Sequence, residues 1–451
     1  MSNEEHLSPR VNSAWMPISQ LAELIRPDED LNSEARGLPV WDEAPVRPAK
    51  SHYATKVNCT PISPELRAVG SLKNPGVAIL DLYERQRGRG PLVESNGDGS
   101  YLVTFLYKGD EETRSITMEG GPTISSVQLN RFGRSDIWYY TAESPRDAML
   151  MYWFNENKFE TQAGQERIVD VLDISDELNP TLTPTGCSVI NFRDLPPYSS
   201  PGKAPRGHLR RKVFTSELLG QNRCGSVYLP LSTEMKRPAG IFVFFDGEAF
   251  CNGWPEQDIG PFVPTPVILD HLVETGQLPY VAAAFIDVGS TRDQDLVFNE
   301  QYAKAAVLEF LPQILEDLHL PLSRDRVCFA GASYGGLCAA YCGLRNLDAV
   351  GNVLSLSGSY WVSDKGIAAA PGEGRIQREI LAAKSNALRF FLEVGAFEGL
   401  DMLLPTRHVR DLLKLRGFDV TYREYPGNHD YMRWQVSLAD GLTAIARDWI
   451  D

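Results

Sequence analysis

The run Val327-Cys328-Phe329-Ala330-Gly331-Ala332-Ser333-Tyr334-Gly335-Gly336-Leu337 joins an apolar strand, a tight turn and the opening of a helix. Its centre, Gly331-Ala332-Ser333-Tyr334-Gly335, is a G-x-S-x-G pattern. Between a strand and a helix, such a serine sits on a nucleophile elbow, a strained turn that exposes its hydroxyl above an α/β-hydrolase sheet. Gly331, Gly335 and Gly336 let the strand and helix backbones approach closely. The pattern alone is a moderate signal. Its flanking elements raise it.

Working outward, strands and helices alternate from about residue 207. Ile241–Phe245 and Val281–Ile286 are continuous apolar runs, as in strands buried on both faces of a parallel sheet. Val353–Leu356 and Arg389–Val394 follow the elbow, and helical patterns cover Tyr302–Leu318, Gly335–Leu344 and Thr406–Leu415. The alternation predicts an α/β fold, a doubly wound sheet with helices on both faces, over residues 206–451.

A serine hydroxyl needs a base, a carboxylate to orient that base, and donors for the oxyanion. In this fold the order along the chain is serine, acid, histidine. Val420–Tyr425 reads as the last strand, and Pro426-Gly427-Asn428-His429-Asp430 follows it, making His429 the candidate base. His6 and His52 fall in an N-terminal extension, His208, His271 and His319 precede the serine, and His408 falls on a surface helix. The loop Gly395-Ala396-Phe397-Glu398-Gly399-Leu400-Asp401 offers the acid, with Glu398 preferred and Asp401 the alternative. Asp430 suits less, because adjacent side chains in an extended loop diverge. For the oxyanion hole, one donor is the amide of Tyr334, and the second is Gly247 or Glu248, in the loop Phe245-Asp246-Gly247-Glu248 after an earlier strand.

Upstream the pattern changes. Tyr101–Tyr107, Ile137–Thr141 and Ala148–Phe154 are strand-like and separated by turn residues such as Asn96-Gly97-Asp98-Gly99, which predicts a small β-sandwich over 61–205. Within it, proline-rich Leu182–Arg206 reads as a linker. Residues 1–60 are rich in proline and charge and bury little apolar surface, so they read as an extension with a short helix around Ile18–Ile25.

The 451 residues are 43% hydrophobic and 23% charged, an ordinary globular balance, and carry a formal charge of -15. That charge argues against a nucleic-acid partner, since neutralising phosphates needs a basic surface. MSNEEHLSPRVNSAWM lacks a basic n-region and an apolar h-region, and no apolar run is long enough to span a bilayer. The expectation is a cytoplasmic protein without a membrane partner. Seven cysteines with no C-x-x-C pair indicate neither a disulfide framework nor a zinc site. No metal or organic cofactor is expected.

These residues together resemble the enterochelin (enterobactin) esterase family, the Fes-type siderophore esterases. The resemblance rests on Phe245-Asp246-Gly247-Glu248, on Arg292-x-x-Asp295-Leu296-x-x-Asn299-x-x-Tyr302 and on Gly331-x-Ser333-x-Gly335-Gly336-Leu337. Ser355-Leu356-Ser357-Gly358-Ser359-Tyr360-Trp361 and His429-Asp430-x-x-x-Trp434 complete it, and it covers roughly residues 75–451. It implies that the N-terminal sandwich is Ig-like, around Asp136-Ile137-Trp138-Tyr139 and Asp176-Glu177-Leu178-Asn179-Pro180. It also implies hydrolysis of the ester bonds of a cyclic tri-serine catecholate siderophore, apo or ferric, to release iron. Arg292 is then expected either to pair with an anionic catecholate or organise the binding loop, or else to form a salt bridge with Asp295. Trp361 and Trp434 either stack on catechol rings or pack in the core.

Other readings share the elbow: a general carboxylesterase or feruloyl-type esterase, an acyltransferase or cyclase passing an acyl group from Ser333 to an acceptor other than water, and a binding module with a dead site. The full set of catalytic parts disfavours the last.

Overall fold

A computed structural model describes residues 62–449 except 163–164, 184–185, 195, 200–202, 232–236, 258, 322, 365 and 368–373. The extension over 1–60, its helix at Ile18–Ile25, His6, His52 and Cys59 lie outside the described residues.

The described chain opens with two helices, Pro64–Gly70 and Pro75–Gln86, each with proline in its first turn, where no intrahelical N–H is lost. Ser63 caps the first by accepting from the Leu66 amide at 3.2 Å. Two antiparallel sheets follow. The first has the order β1 (Leu92–Ser95), β2 (Tyr101–Lys108), β6 (Ile137–Ser144), β5 (Asn130–Arg131). The second runs β4 (Val127–Gln128), β3 (Thr113–Gly120), β7 (Met149–Gln162), β8 (Gln165–Ile174), with β9 (Ser188–Asn191) also paired to β7.

The period-two geometry of a strand explains why β2 and β6 read as almost unbroken apolar runs. Val103, Phe105, Trp138 and Tyr140 point into the core shared with Ile116, Met118, Tyr152 and Phe154 of the second sheet. Leu106, Ile137 and Tyr139 point the other way and bury Leu66, Ile79, Leu82 and Tyr83 of the two helices. The stretch Leu182–Arg206, read as a linker, thus contributes a strand: β9 pairs Ser188–Asn191 with Met149–Tyr152.

The remainder is built on one eight-stranded sheet. Its strands are β10 (His208–Phe214), β11 (Arg223–Leu229), β12 (Ile241–Phe245), β13 (Ala282–Ile286), β14 (Val327–Ala332), β15 (Asn352–Leu356), β18 (Arg389–Gly395) and β19 (Asp419–Tyr425). A short hairpin, β16 (Val362–Ser363) and β17 (Gly366–Ile367), lies between β15 and β18. The order across the sheet is 10-11-13-12-14-15-18-19, antiparallel at β10, β11 and β13 and parallel from β13 to β19. Alternate residues of the central strands enter two separate cores. Val243, Phe245, Ala284 and Phe329 belong to the core that also takes in the helices Tyr334–Arg345 and Leu400–Leu415. Phe242, Phe244, Phe285 and Ala330 meet Thr265–Glu274 and Tyr431–Ile445. Helices thus cover both faces.

From β12 the chain crosses to β13 on one side and returns to β14 on the other. The crevice between the carboxyl ends of β12 and β14 is therefore the topological switch point where such sheets bind ligands. Asp246 directly follows β12 and Ser333 directly follows β14.

Two helices differ from the pattern reading. Tyr302–Leu318 is not one regular helix but Glu300–Ala305, a wide turn over Ala306–Phe310, and Leu311–Asp317. Pro312 has no N–H to bond back one turn, and the widened turn lies just ahead of it. Thr406–Leu415 starts earlier, at Leu400, and runs through Pro405. Asp401 therefore stands in the first turn of a helix.

Candidate active site

Ser333 has φ 55° and ψ -121°, a conformation that costs a non-glycine residue on the order of 1–3 kcal/mol and is kept only where packing imposes it. The packing is evident at two glycines. A Cβ on Gly331 would lie 2.5 Å from the Gly335 carbonyl carbon, and one on Gly336 would lie 2.6 Å from Ser355 Oγ. The Ser333 amide donates to Leu356 O at 2.9 Å, and its Oγ lies 3.2 Å from Ser359 Oγ.

His429 and Glu398 meet: His429 Nδ1 is 2.8 Å from Glu398 Oε2. The other Glu398 oxygen accepts from Ser357 Oγ at 2.5 Å and from the Gly395 amide at 2.7 Å. Glu398 is 1% exposed. With a buried carboxylate so furnished with donors, the His429 ring is held in one orientation. Close approach of the two loops needs glycine, since a Cβ on Gly395 would lie 2.3 Å from Gly427 O. Asp401, the alternative acid, is exposed on the helix Leu400–Leu415, and Glu398 is the carboxylate bonded to His429. Asp430 caps the helix Tyr431–Ile445 by accepting from the Arg433 amide at 2.8 Å, and burial pushes its carboxyl up to about 7.

Ser333 and His429 line one cavity of about 320 Å³ with Asp246, Glu248, Ala249, Val288, Gly289, Arg292, Trp254, Tyr431 and Trp434. Tyr334 and Glu248 each stand at the first position of a helical turn, where a backbone N–H has no intrahelical acceptor. Gly247 is pressed against the sheet, where a Cβ would lie 2.5 Å from Asp287 Oδ1. The Glu248 carboxylate accepts from the amides of Val288 (3.0 Å) and Gly289 (2.7 Å), tying the β12 loop to the β13 loop.

Arg292 does not pair with Asp295. Its guanidinium forks onto Asp246, with contacts of 2.6 and 2.9 Å, while Asp295 takes Arg223 at 2.6 Å. One turn of helix, Arg292–Leu296, carries both residues, but Asp295 faces the buried side and Arg292 the cavity. Burial works against the Arg292 charge, and the Asp246 carboxylate outweighs it and raises its pKa. Trp361 packs on Tyr334, ring centroids 6.1 Å apart, and does not line this cavity. Trp434 does line it but is 3% exposed. Its indole N–H donates to Ser357 Oγ at 3.1 Å, and its ring meets the His429 ring edge-on at 4.9 Å.

Four residues escaped sequence reasoning. Ser357, with φ 45°, links Trp434 to Glu398, and the dense Ser355–Ser359 motif was its only trace. Tyr431 and Trp254 wall the cavity. Glu393 lies buried beneath the pair; burial first, then the Glu398 charge, push its carboxyl up to about 8. Among the described residues, no cluster of three or more His, Cys, Asp or Glu side chains is arranged to hold a metal.

Residues 216–445 match the model of a family described as putative esterase. The chain is 30% identical over 392 residues to the iron(III) enterobactin esterase of Escherichia coli K12, covering 79% of this chain and 94% of that relative. Its fold is like that of the ferric enterobactin esterase from Salmonella typhimurium, with a TM-score of 0.65 at 21% identity over 81% of this chain and 98% of the other. The enterobactin esterase from Shigella flexneri, crystallised in the presence of enterobactin, gives a TM-score of 0.62 at 22% identity, covering 82% and 99%. With this sequence identity across nearly the whole of a curated relative, the chain belongs to the iron(III) enterobactin esterase family.

Proposed function

We propose that this protein hydrolyses the ester bonds of a cyclic tri-serine catecholate siderophore of the enterobactin type, with Ser333 as nucleophile, His429 as general base and acid, and Glu398 as the carboxylate that orients His429. The observation that carries the reading is the meeting of a strained Ser333 and the Glu398–His429 pair at one cavity on the sheet's switch point. The substrate class comes from family membership.

In the reaction, Ser333 Oγ attacks an ester carbonyl carbon and passes its proton to His429 Nε2. The amides of Tyr334 and Glu248 (or Gly247) receive the charge that develops on the carbonyl oxygen. The tetrahedral adduct collapses, the C–O bond to the leaving seryl oxygen breaks, and His429 returns the proton to that oxygen. Water then attacks the acyl-Ser333 ester by the same route, giving a linear carboxylic acid and free Ser333.

Arg292, held in a fork by Asp246, brings a guanidinium to the cavity lining, and Tyr431, Trp254 and Trp434 give it aromatic walls. Opening the ring removes the covalent preorganisation of three catecholates around iron, so the linear product must order itself to hold the metal and binds it less tightly. The protein would act after uptake, in the cytoplasm. No helix among the described residues is long and apolar enough to cross a membrane.

Rapid-quench mass spectrometry tests the assignment. With enterobactin, the tryptic peptide containing Ser333 should gain the mass of the linear trimer acyl group in the first turnover. No adduct, or an adduct on another residue, would overturn it.

A further inference from the structure

The sandwich does more than sit beside the hydrolase sheet. Asn428, the residue before His429, is 6% exposed and reaches out of the His loop into the end of the β3–β7 ladder. Its side-chain Oδ1 accepts from the Met151 amide at 3.2 Å, and its Nδ2 donates to Gly121 O at 3.0 Å. The amide thus stands in for a peptide unit just past the Gly120–Tyr152 pair that ends the ladder. A main-chain bond from the Met149 amide to Pro426 O, at 3.1 Å, adds a second tie.

The acid loop repeats the arrangement. Phe397, the residue before Glu398, packs its ring against the sandwich core of Phe105, Tyr152 and Phe154. The loops also hold each other: the Phe397 amide donates to Gly427 O at 3.0 Å, and Asn428 Nδ2 lies 3.4 Å from Phe397 O. In each loop successive side chains diverge. One residue is anchored in the sandwich, and the next, Glu398 or His429, meets its partner at 2.8 Å.

We infer that the N-terminal sandwich positions the acid–base pair, and that Asn428 and Phe397 are the positioning residues through which it acts. The inference rests on the assignment of His429 and Glu398 above. Neither anchor touches the reacting atoms. Each fixes the rotation of a loop whose next side chain must stay within hydrogen-bond reach of its partner. Loosening an anchor should lower kcat with little change in KM, because the cavity walls around the substrate are untouched.

The experiment uses the full chain with Asn428→Ala, Phe397→Ala and Phe397→Leu, assayed on enterobactin and on a small aryl ester. Asn428→Ala and Phe397→Ala should lose about 10- to 100-fold in kcat on both substrates with KM within about threefold. Phe397→Leu, which keeps apolar volume, should recover most of the rate. The low-field proton resonance of His429 Nδ1–H should weaken or shift in Asn428→Ala and persist in Phe397→Leu. If Asn428→Ala does not fold, the same readouts on Phe397→Ala against Phe397→Leu decide. Wild-type kcat in both alanine variants, or a change in KM alone, overturns the anchoring. Ser333→Ala separates the two claims. An inactive Ser333→Ala beside fully active anchor variants refutes only the anchoring, and an active Ser333→Ala refutes the assignment beneath it.

Discussion

Replacing Glu398 with glutamine tests the pair without removing volume, and the structure dictates how the new amide must sit. Glu398 Oε1 accepts from the Gly395 amide at 2.7 Å, and that backbone donor cannot turn round. The glutamine must therefore keep its oxygen there, which also suits the Ser357 hydroxyl. Its NH2 group then faces His429 Nδ1, where Oε2 now lies at 2.8 Å. Facing a donor, Nδ1 must be the acceptor, so the ring proton moves to Nε2. An Nε2 that already carries a proton cannot take one from Ser333. Wrong-tautomer substitutions of a triad carboxylate cost about 10⁴-fold elsewhere, so kcat should fall about 10³- to 10⁴-fold, or about 4–5.5 kcal/mol at roughly 1.36 kcal/mol per decade. Because the buried hydrogen bonds are kept, the unfolding midpoint in urea should barely move. Asp401→Asn is the control, expected within about threefold of wild type since Glu398, not Asp401, is the carboxylate bonded to His429. Steady-state hydrolysis of an aryl ester reads both. The reasoning fails if Glu398→Gln stays within tenfold of wild type, or if Asp401→Asn falls as far.

Two other substitutions probe the same buried network. Ser357→Ala removes the 2.5 Å donor to Glu398 and strands the Trp434 indole N–H, which now bonds at 3.1 Å; urea unfolding should show a loss of about 1–3 kcal/mol, with kcat down about tenfold, and an unchanged midpoint and rate would contradict this. Glu393→Gln gives a pH signature. The folded protein holds the Glu393 proton up to about 8, whereas an unfolded chain releases it near the ordinary 4.5. Rising pH through that window therefore costs the wild type stability that it retains below 4.5. The thermal midpoint of Glu393→Gln should gain on wild type between pH 5 and 8 and then run parallel, and parallel curves throughout would show that the carboxyl titrates normally.

What the sequence disclosed depended on how local each signal was. The elbow was readable because strand, turn and helix are contiguous around Ser333, and His429 and Glu398 because the fold prescribes their order along the chain. The sandwich strands were readable from β-rich runs between turns, although β9 was hidden among prolines. Pairings set by tertiary geometry were not. Arg292 and Asp295 are three apart on a helix and look like partners, yet the buried side of that turn gives Asp295 to Arg223 and leaves Arg292 to Asp246. Asn428 bonds residues 277 and 307 positions away, and no periodicity announces contacts at that range. Ser357 was one serine among several in its motif, and only its placement between Trp434 and Glu398 sets it apart.

The most direct measurement of the central claim is a time course of apo and ferric enterobactin with the purified protein, its products separated by liquid chromatography and weighed by mass spectrometry. Ester hydrolysis at Ser333 predicts linear trimer first, then dimer and monomer, with Ser333→Ala producing none of them. An intact trilactone beside fast hydrolysis of a simple aryl ester would contradict the siderophore reading, and unimpaired cleavage by Ser333→Ala would contradict the nucleophile.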